Sequence, residues 1–275
     1  MLFMGEEVSM RKSDTGGASA MKIQFLGVGE ACDPTRFNTS LLVTAEGRTT
    51  RHYILLDCGF TTPHRYFLDC READALDALW ISHFHGDHFF GLPLLLLRFW
   101  EMGRAKPLIL IGPAGLQEKV KQAFALAYPS LLARLRYQLR YLPVSPGSPP
   151  LRAAGCTWQA AQVEHAQPAL ALRLSAGGRS LYYSGDGRPT PASAELAKNA
   201  ALIVHEAYRA SGETPNHSSI GASVSFARQA GARMLALVHL AHFEREQAEE
   251  RLRELGPDQG GLKVFLPEPG DAIVL

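Results

Sequence analysis

Three histidines and an aspartate stand within six positions of the segment LWISHFHGDHFF (79–90), in the order His83, His85, Asp87, His88, directly after an apolar run. If residues 79–82 form a buried strand, His83 and His85 leave its end in one direction, and the turn at Gly86 lets Asp87 and His88 face a second point nearby. One loop then supplies two half-sites. Neutral imidazole and carboxylate suit Zn²⁺, Mn²⁺ or Fe²⁺, and a zinc site that catalyses retains a water beside three protein ligands. A polar turn explains one isolated histidine; four ligand-type side chains in this order point to metal.

The elements that must carry this loop give alternating strand and helix signals, with strands dominating the first half. KIQFLGV (22–28), TSLLVTA (39–45), RHYILLDCG (51–59) and DALWISH (77–83) have strand character. Helical spacing follows over 88–102 and 116–128, with PLILIGP (107–113) as a strand between. SPGSPP (145–150) has linker composition, but strand signals resume at once in CTWQAAQV, ALALRLS and RSLYYSG, so it marks a loop between two halves of one domain. After Gly185 the order is helix, strand (ALIVHEA), loop, helix (SIGASVSFARQAG), strand (RMLALVHL), helix (REQAEERLREL) and a last strand near LKVFL. Strands first and alternation later predict stacked sheets covered by helices, an α/β (α+β) architecture.

At 275 residues, with 46% hydrophobic and 20% charged content, the chain can bury a full core. Its longest apolar stretch, LPLLLLRF (92–99), is interrupted by Pro93 and Arg98 and falls well short of the ~20 residues of a membrane span. Residues 1–20 mix charge, Gly and Ser without the apolar centre of a secretory signal; they predict a disordered extension before a single domain over 21–275, with Met21 as a second start. Cys32, Cys58, Cys70 and Cys156 form no CxxC pair, which argues against a zinc knuckle or a disulfide framework and makes a reducing cytoplasm the expected compartment. A net charge of +1 gives no global attraction to polyanions.

The His83, His85, Asp87, His88 motif resembles that of the metallo-β-lactamase superfamily, and the resemblance runs through almost the whole chain from Lys22. It implies a four-layer αβ/βα sandwich with two metal ions at its sheet edge. By that resemblance, His165 in QVEHAQPALALRL is the third histidine of the first ion, and Asp186 in LYYSGDGRP is the aspartate that both ions share. The final histidine is His239 or His242 in RMLALVHLAHF, with His239 preferred because it follows the strand directly. The implied sets are His83, His85 and His165 on one ion and Asp87, His88 and His239 on the other. Such ions sit ~3.5–4 Å apart. Asp57 in ILLDCG matches a further superfamily aspartate, one that orients the ligand loop. The implied cofactors are two divalent ions, Zn²⁺ first, with Mn²⁺ or Fe²⁺ as alternatives.

Aspartate rather than cysteine at 186, and His88 beside Asp87, resemble a phosphodiesterase-type centre more than a β-lactamase pocket. The stretch from YYSGDGRP through HEAY to NHSSIGASVSFARQAG is similar to the ribonuclease Z branch, with its S-G-D-T-R-P turn, H-E-A-T segment and H-S-T helix start. The resemblance implies that Glu206 and His217 act as a pair near the leaving oxygen, and that Arg36 and Asn38 in LGVGEACDPTRFNTSLLV contact substrate. The ordinary alternatives are a buried acid, a neighbour of the Ser218 helix cap, a surface arginine and a turn asparagine. Two departures stand out. The bacterial enzymes of this branch insert a transfer-RNA-gripping arm between the middle histidine and the bridging aspartate, whereas His165 to Asp186 here spans only a strand, the turn SAGGR and another strand. The turn also ends in Gly187, and the H-E-A-T segment ends in Tyr208.

The expected activity is hydrolysis of a phosphodiester (an RNA 3′ end, a cyclic nucleotide or a cyclic phosphate) by a metal-bridging hydroxide. Asp87 would steer the nucleophile, and His217 with Glu206 would protonate the leaving group. The same centre also activates water against a non-phosphate ester, thioester or lactam, and a nucleic-acid-binding protein with structural metals is a third class. The apolar run 88–100 predicts core packing, with any surplus forming a homodimer seam or a substrate wall.

Overall fold

The computed structural model describes residues 20–47, 50–256 and 260–275. The extension expected over 1–20 lies, Ala20 apart, outside them. Alternation builds the first strand, Met21–Gly27, in which Met21, Ile23 and Phe25 are buried while Lys22 is exposed. Two seven-stranded sheets result. The first runs Ala272–Val274, Met21–Gly27, Ser40–Glu46, Arg51–Leu56, Leu76–Trp80, Leu108–Gly112, Leu139–Pro143, antiparallel as far as Arg51–Leu56 and parallel beyond. The second runs Lys263–Phe265, Met234–Val238, Leu202–Glu206, Arg179–Tyr183, Ala169–Ala176, Cys156–Val163, Leu151–Ala153, parallel over its first four strands and antiparallel after.

The inner faces meet in one core, where Ile23, Leu41 and Val43 face Leu172, Leu181 and Val204 and the rings of Trp80 and Trp158 stack at 6.3 Å. Helices Thr62–Asp69, Leu92–Glu101 and Leu116–Ala127 cover the outer face of the first sheet through Tyr66, Phe99 and Phe124. Pro191–Ala197, Ile220–Gln229 and Arg245–Leu255 cover the second through Ala197, Phe226 and Ala248. The layers are helix, sheet, sheet, helix, the four-layer sandwich expected. No helix among the described residues is long and apolar enough to cross a membrane.

Several local expectations are corrected. The strand expected over 77–83 ends at Trp80, so both histidines stand on the loop beyond it. The helix expected over 88–102 is two helices, Gly86–Phe89 and Leu92–Glu101. Gly91 separates them because its N–H donates to the Cys58 carbonyl at 2.9 Å and a Cβ there would lie 2.0 Å from the Gly59 carbonyl oxygen. Helix Thr62–Asp69 and strands Leu139–Pro143, Leu151–Ala153 and Ala272–Val274 carry no strong sequence signal. The Pro-rich loop 145–150 carries the chain from the first sheet to the second. Strands Ala169–Ala176 and Arg179–Tyr183 are joined by a tight turn in which Gly177 and Gly178 have φ of 57° and 75°.

Candidate metal centre

Asp57, His83, His165, Asp186, Glu206 and His239 all lie at or just past the carboxyl ends of strands, the edge where open α/β sheets bind ligands. His85 precedes the short helix that carries Asp87 and His88. Gly185, with φ of 59°, turns the chain before Asp186, and a Cβ there would meet that of Ser82 at 2.8 Å, so a glycine lets the two sheets close on each other. His239 follows its strand with a left-handed φ of 57°, its N–H donating to the Val28 carbonyl at 2.8 Å.

Asp57 is fully buried and fixes how the rings present their nitrogens. One of its oxygens accepts the Ser82 N–H at 2.7 Å. The other accepts the Ser82 hydroxyl at 2.8 Å, His88 Nδ1 at 2.8 Å and the Tyr183 hydroxyl at 2.6 Å. Because the Ser82 hydrogen goes to Asp57, its oxygen accepts from His83 Nδ1 at 3.0 Å. His165 Nδ1 donates to the Asn216 carbonyl at 3.0 Å. All three rings therefore carry a proton on Nδ1 and, when neutral, turn a bare Nε2 lone pair inward.

Those lone pairs converge. His83 and His165 Nε2 both approach His85 Nδ1, at 3.0 and 3.1 Å, and a nitrogen with at most one hydrogen cannot satisfy both. His88 Nε2 lies 3.3 Å from both Asp87 Oδ2 and Asp186 Oδ1. His239 Nε2 lies 3.2 Å from both Asp87 Oδ2 and Asp186 Oδ2. His88 Nε2 and Asp186 Oδ1 are buried without a hydrogen-bond partner among the described residues. The ligand-type atoms form three groups, each within 4.8 Å: His83, His85, His165 and Asp186; Asp87, His88, Asp186 and His239; and Glu206, His217 and His239. Clustered acceptors with too few hydrogens between them fit divalent cations, and imidazole plus carboxylate is a donor set for Zn²⁺, Mn²⁺ or Fe²⁺.

Without cations, protons take their place on His88 and His239. Burial, then the neighbouring His88, pushes His83 well below the usual imidazole range. Burial disfavours charge on His88 as well, but Asp186 and Asp57 carry it well above that range. For His239, burial is outweighed by Asp186 and Asp87, and its pKa is raised to about 9. Burial would raise Asp87 and Asp186, yet His239 and His88 hold both below the ordinary carboxylate range. Protons and metal ions compete for this pocket of negative charge.

Glu206 is fully buried and joins the site. One of its oxygens accepts the N–H groups of Gly187 at 3.2 Å and Ser218 at 2.7 Å, and the other accepts that of Tyr208 at 3.0 Å. It ties the turn after Asp186 to the loop of His217. His217 Nδ1 is 3.4 Å from the Glu206 carboxylate, and its ring stacks on His239 at 5.8 Å. Arg36 and Asn38, expected to contact substrate, lie on the loop after the first strand. Arg36 pairs with Glu268 at 3.3 Å, and the buried Asn38 amide oxygen accepts both the N–H and the hydroxyl of Thr61 at 3.0 Å. His242 is held by Glu30 at 2.7 Å, and His239 is the histidine that joins the cluster. Ser82 and Tyr183 act on the site through Asp57, and alternation along the strand marks Tyr183 only as inward-facing.

The two helix-flanked sheets and this edge site define a metallo-β-lactamase-fold hydrolase. Structural comparison agrees: the metallo-β-lactamase fold protein YhfI from Bacillus subtilis superposes with a TM-score of 0.75 at 21% identity, over 93% of this chain and 99% of that one. The chain belongs to the family of the anti-Pycsar protein Apyc1, whose model matches residues 21–256. It is also similar to ribonuclease Z of Methanosarcina acetivorans, 27% identical over 85% of this chain and 92% of that one. Ribonuclease BN of Escherichia coli O139:H28 is 29% identical over 85% of this chain and 94% of that one. The chain is a metal-dependent hydrolytic enzyme similar to ribonuclease Z.

Proposed function

We propose that the protein is a dinuclear phosphodiesterase, a single domain over 21–275, acting on a cyclic nucleotide, a cyclic phosphate or an RNA 3′ end. The observation that carries this is the pair of ligand groups sharing Asp186, with His217 stacked beside them. His83, His85 and His165 would hold one ion, Asp87, His88 and His239 the other, and Asp186 both, with Zn²⁺ first in preference. When bound, the ions would supply a hydroxide nucleophile at neutral pH and neutralise charge on a phosphoryl oxygen. Asp87 would orient or deprotonate the nucleophile. His217, its Nδ1 turned to the Glu206 carboxylate, protonates the leaving oxygen. Only a hairpin lies between the strand before His165 and Asp186, which favours a substrate gripped at its phosphodiester over one gripped along an RNA body.

Purified, metal-loaded protein given bis-p-nitrophenyl phosphate, a thioester and a lactam is expected to turn over the phosphodiester; turnover of the carbonyl substrates alone would overturn the proposal. On a phosphodiester with an alkoxide leaving group, such as a cyclic nucleotide, His217→Ala is expected to lower turnover by ~10²–10⁴-fold with metal content intact, and lost metal would make His217 a ligand. Most of the apolar run 88–100 packs in the core, but Phe90, with Phe60 and Leu126, is more than half exposed and lines a groove of about 580 Å³ that contains no ligand residue. We assign this groove to a homodimer seam. A monomeric mass by light scattering would remove it. All four cysteines are free, and we place the protein in a reducing cytoplasm.

A further inference from the structure

His217, the proposed proton donor, stands on a loop tied down at its neck: the Ser218 N–H donates to Glu206 at 2.7 Å, and the Ile220 N–H donates to the Arg209 carbonyl at 3.0 Å. The tip of the loop is a turn from Thr214 to His217, closed by the His217 N–H on the Thr214 carbonyl at 3.4 Å. Pro215 at its second position and a left-handed φ of 66° at Asn216, its third, make the type II pattern. This turn reaches a member of the first ligand group. The Asn216 main-chain carbonyl accepts from His165 Nδ1 at 3.0 Å, and the rings of His165 and His217 meet edge to face at 5.0 Å. The bond uses the main chain, so position 216 must supply the left-handed φ and not the amide group. One four-residue turn thus holds His165 in the tautomer that aims Nε2 at His85, and carries the proton donor as its last residue.

We propose that Asn216 is a positioning residue that couples the first ion to the proton donor. A hydrogen bond to the far nitrogen of a ligating histidine fixes its tautomer and orientation, and such bonds support metal affinity. Coupling of this kind is reciprocal, so a turn that favours an ion at His83, His85 and His165 is itself drawn into place when that ion binds. Filling the first site seats His217. The consequence for turnover rests on the phosphodiesterase assignment; the coupling itself does not.

Chelator-buffered zinc titration of wild type, Asn216→Gly, Asn216→Ala and Asn216→Val reads one direction of the coupling. Glycine adopts the left-handed φ freely and should leave zinc affinity within about twofold of wild type. Valine, β-branched and an outlier at that φ, should weaken one ion ~10–100-fold and leave the other near wild type. Alanine should fall between them and serves if the valine variant folds poorly. Amide hydrogen exchange reads the other direction: zinc should slow exchange over residues 209–218 in wild type and Asn216→Gly, and not in Asn216→Val. At saturating zinc, Asn216→Val should still hydrolyse adenosine 3′,5′-cyclic phosphate up to ~10²-fold more slowly, because His217 is misplaced. Zinc affinity unchanged in both Asn216→Val and Asn216→Ala, or wild-type exchange over 209–218 that zinc does not alter, overturns the proposal. Zinc-dependent protection of the turn in a protein that hydrolyses no phosphodiester would uphold the role of Asn216 and refute the chemistry.

Discussion

Replacing Asp57 by asparagine preserves shape and backbone preference, since asparagine tolerates the left-handed φ of 58° found there, and changes only the hydrogen-bond capacity. The pocket presents four donors: the Ser82 N–H, the Ser82 hydroxyl, His88 Nδ1 and the Tyr183 hydroxyl. An amide has one acceptor oxygen. Facing one way, its NH₂ opposes the Ser82 backbone N–H; facing the other, it opposes the other three donors together. A hydrogen bond to a charged group is worth ~1.5–3 kcal/mol and a buried unsatisfied donor costs ~1–3 kcal/mol, so at least one of each predicts a loss of about 3–5 kcal/mol in the metal-free protein. His88 can escape the clash only by moving its proton to Nε2, the atom that faces Asp87 and Asp186. Metal affinity at that position is therefore expected to fall ~10–100-fold, with a smaller loss at His83 through Ser82. Denaturant melts of the metal-free variant and chelator-buffered zinc titrations measure the two effects separately. Destabilisation with unchanged metal affinity would refute the control of ring tautomers by Asp57, and no change in either would refute the hydrogen-bond account altogether.

His239→Ala should bind one ion fewer per chain and lose at least ~10²-fold in turnover, whereas His242→Ala, which breaks contacts to Glu30 and Phe243 away from the ligand groups, should retain both ions; metal counting by atomic emission decides between the two histidines. Gly91→Ala drives a Cβ to 2.0 Å from the Gly59 carbonyl oxygen, and overpacking of this kind should cost ~1–3 kcal/mol. A denaturation midpoint equal to that of the wild type would show that the neighbouring backbone yields freely.

The ligand loop was legible because its side chains are polar, adjacent and preceded by an apolar strand. His165, Asp186 and His239 depended on resemblance, since a histidine after a strand has no distinguishing pattern until the strands are ordered in space. Asp57 was visible as a candidate orienting residue, but its partner Tyr183 was not, because that contact crosses from one sheet to the other over 126 positions. The break at Gly91 stayed hidden since helical spacing continues across it, while the obstacle is the Gly59 carbonyl of a different segment. Helix Thr62–Asp69 buries only Thr62, Pro63 and Tyr66, too few to impose a periodicity, and Ala272–Val274 is a three-residue edge strand. Arg36 and Asn38 have residue types suited to substrate binding, and their partners Glu268 and Thr61 carry no signal in the sequence, because both are distant along the chain.

The turn at Gly177 and Gly178 offers a point for engineering. Both central residues have positive φ, as a type I′ turn requires, and Ala176 and Arg179 close the ladder beneath them. A peptide module grafted between these glycines leaves every strand pair intact, and loop-closure entropy rises only slowly with insert length. The hairpin is thus a mounting point at which a recruiting domain could bring a chosen macromolecule to this enzyme, with the sheets left as they are.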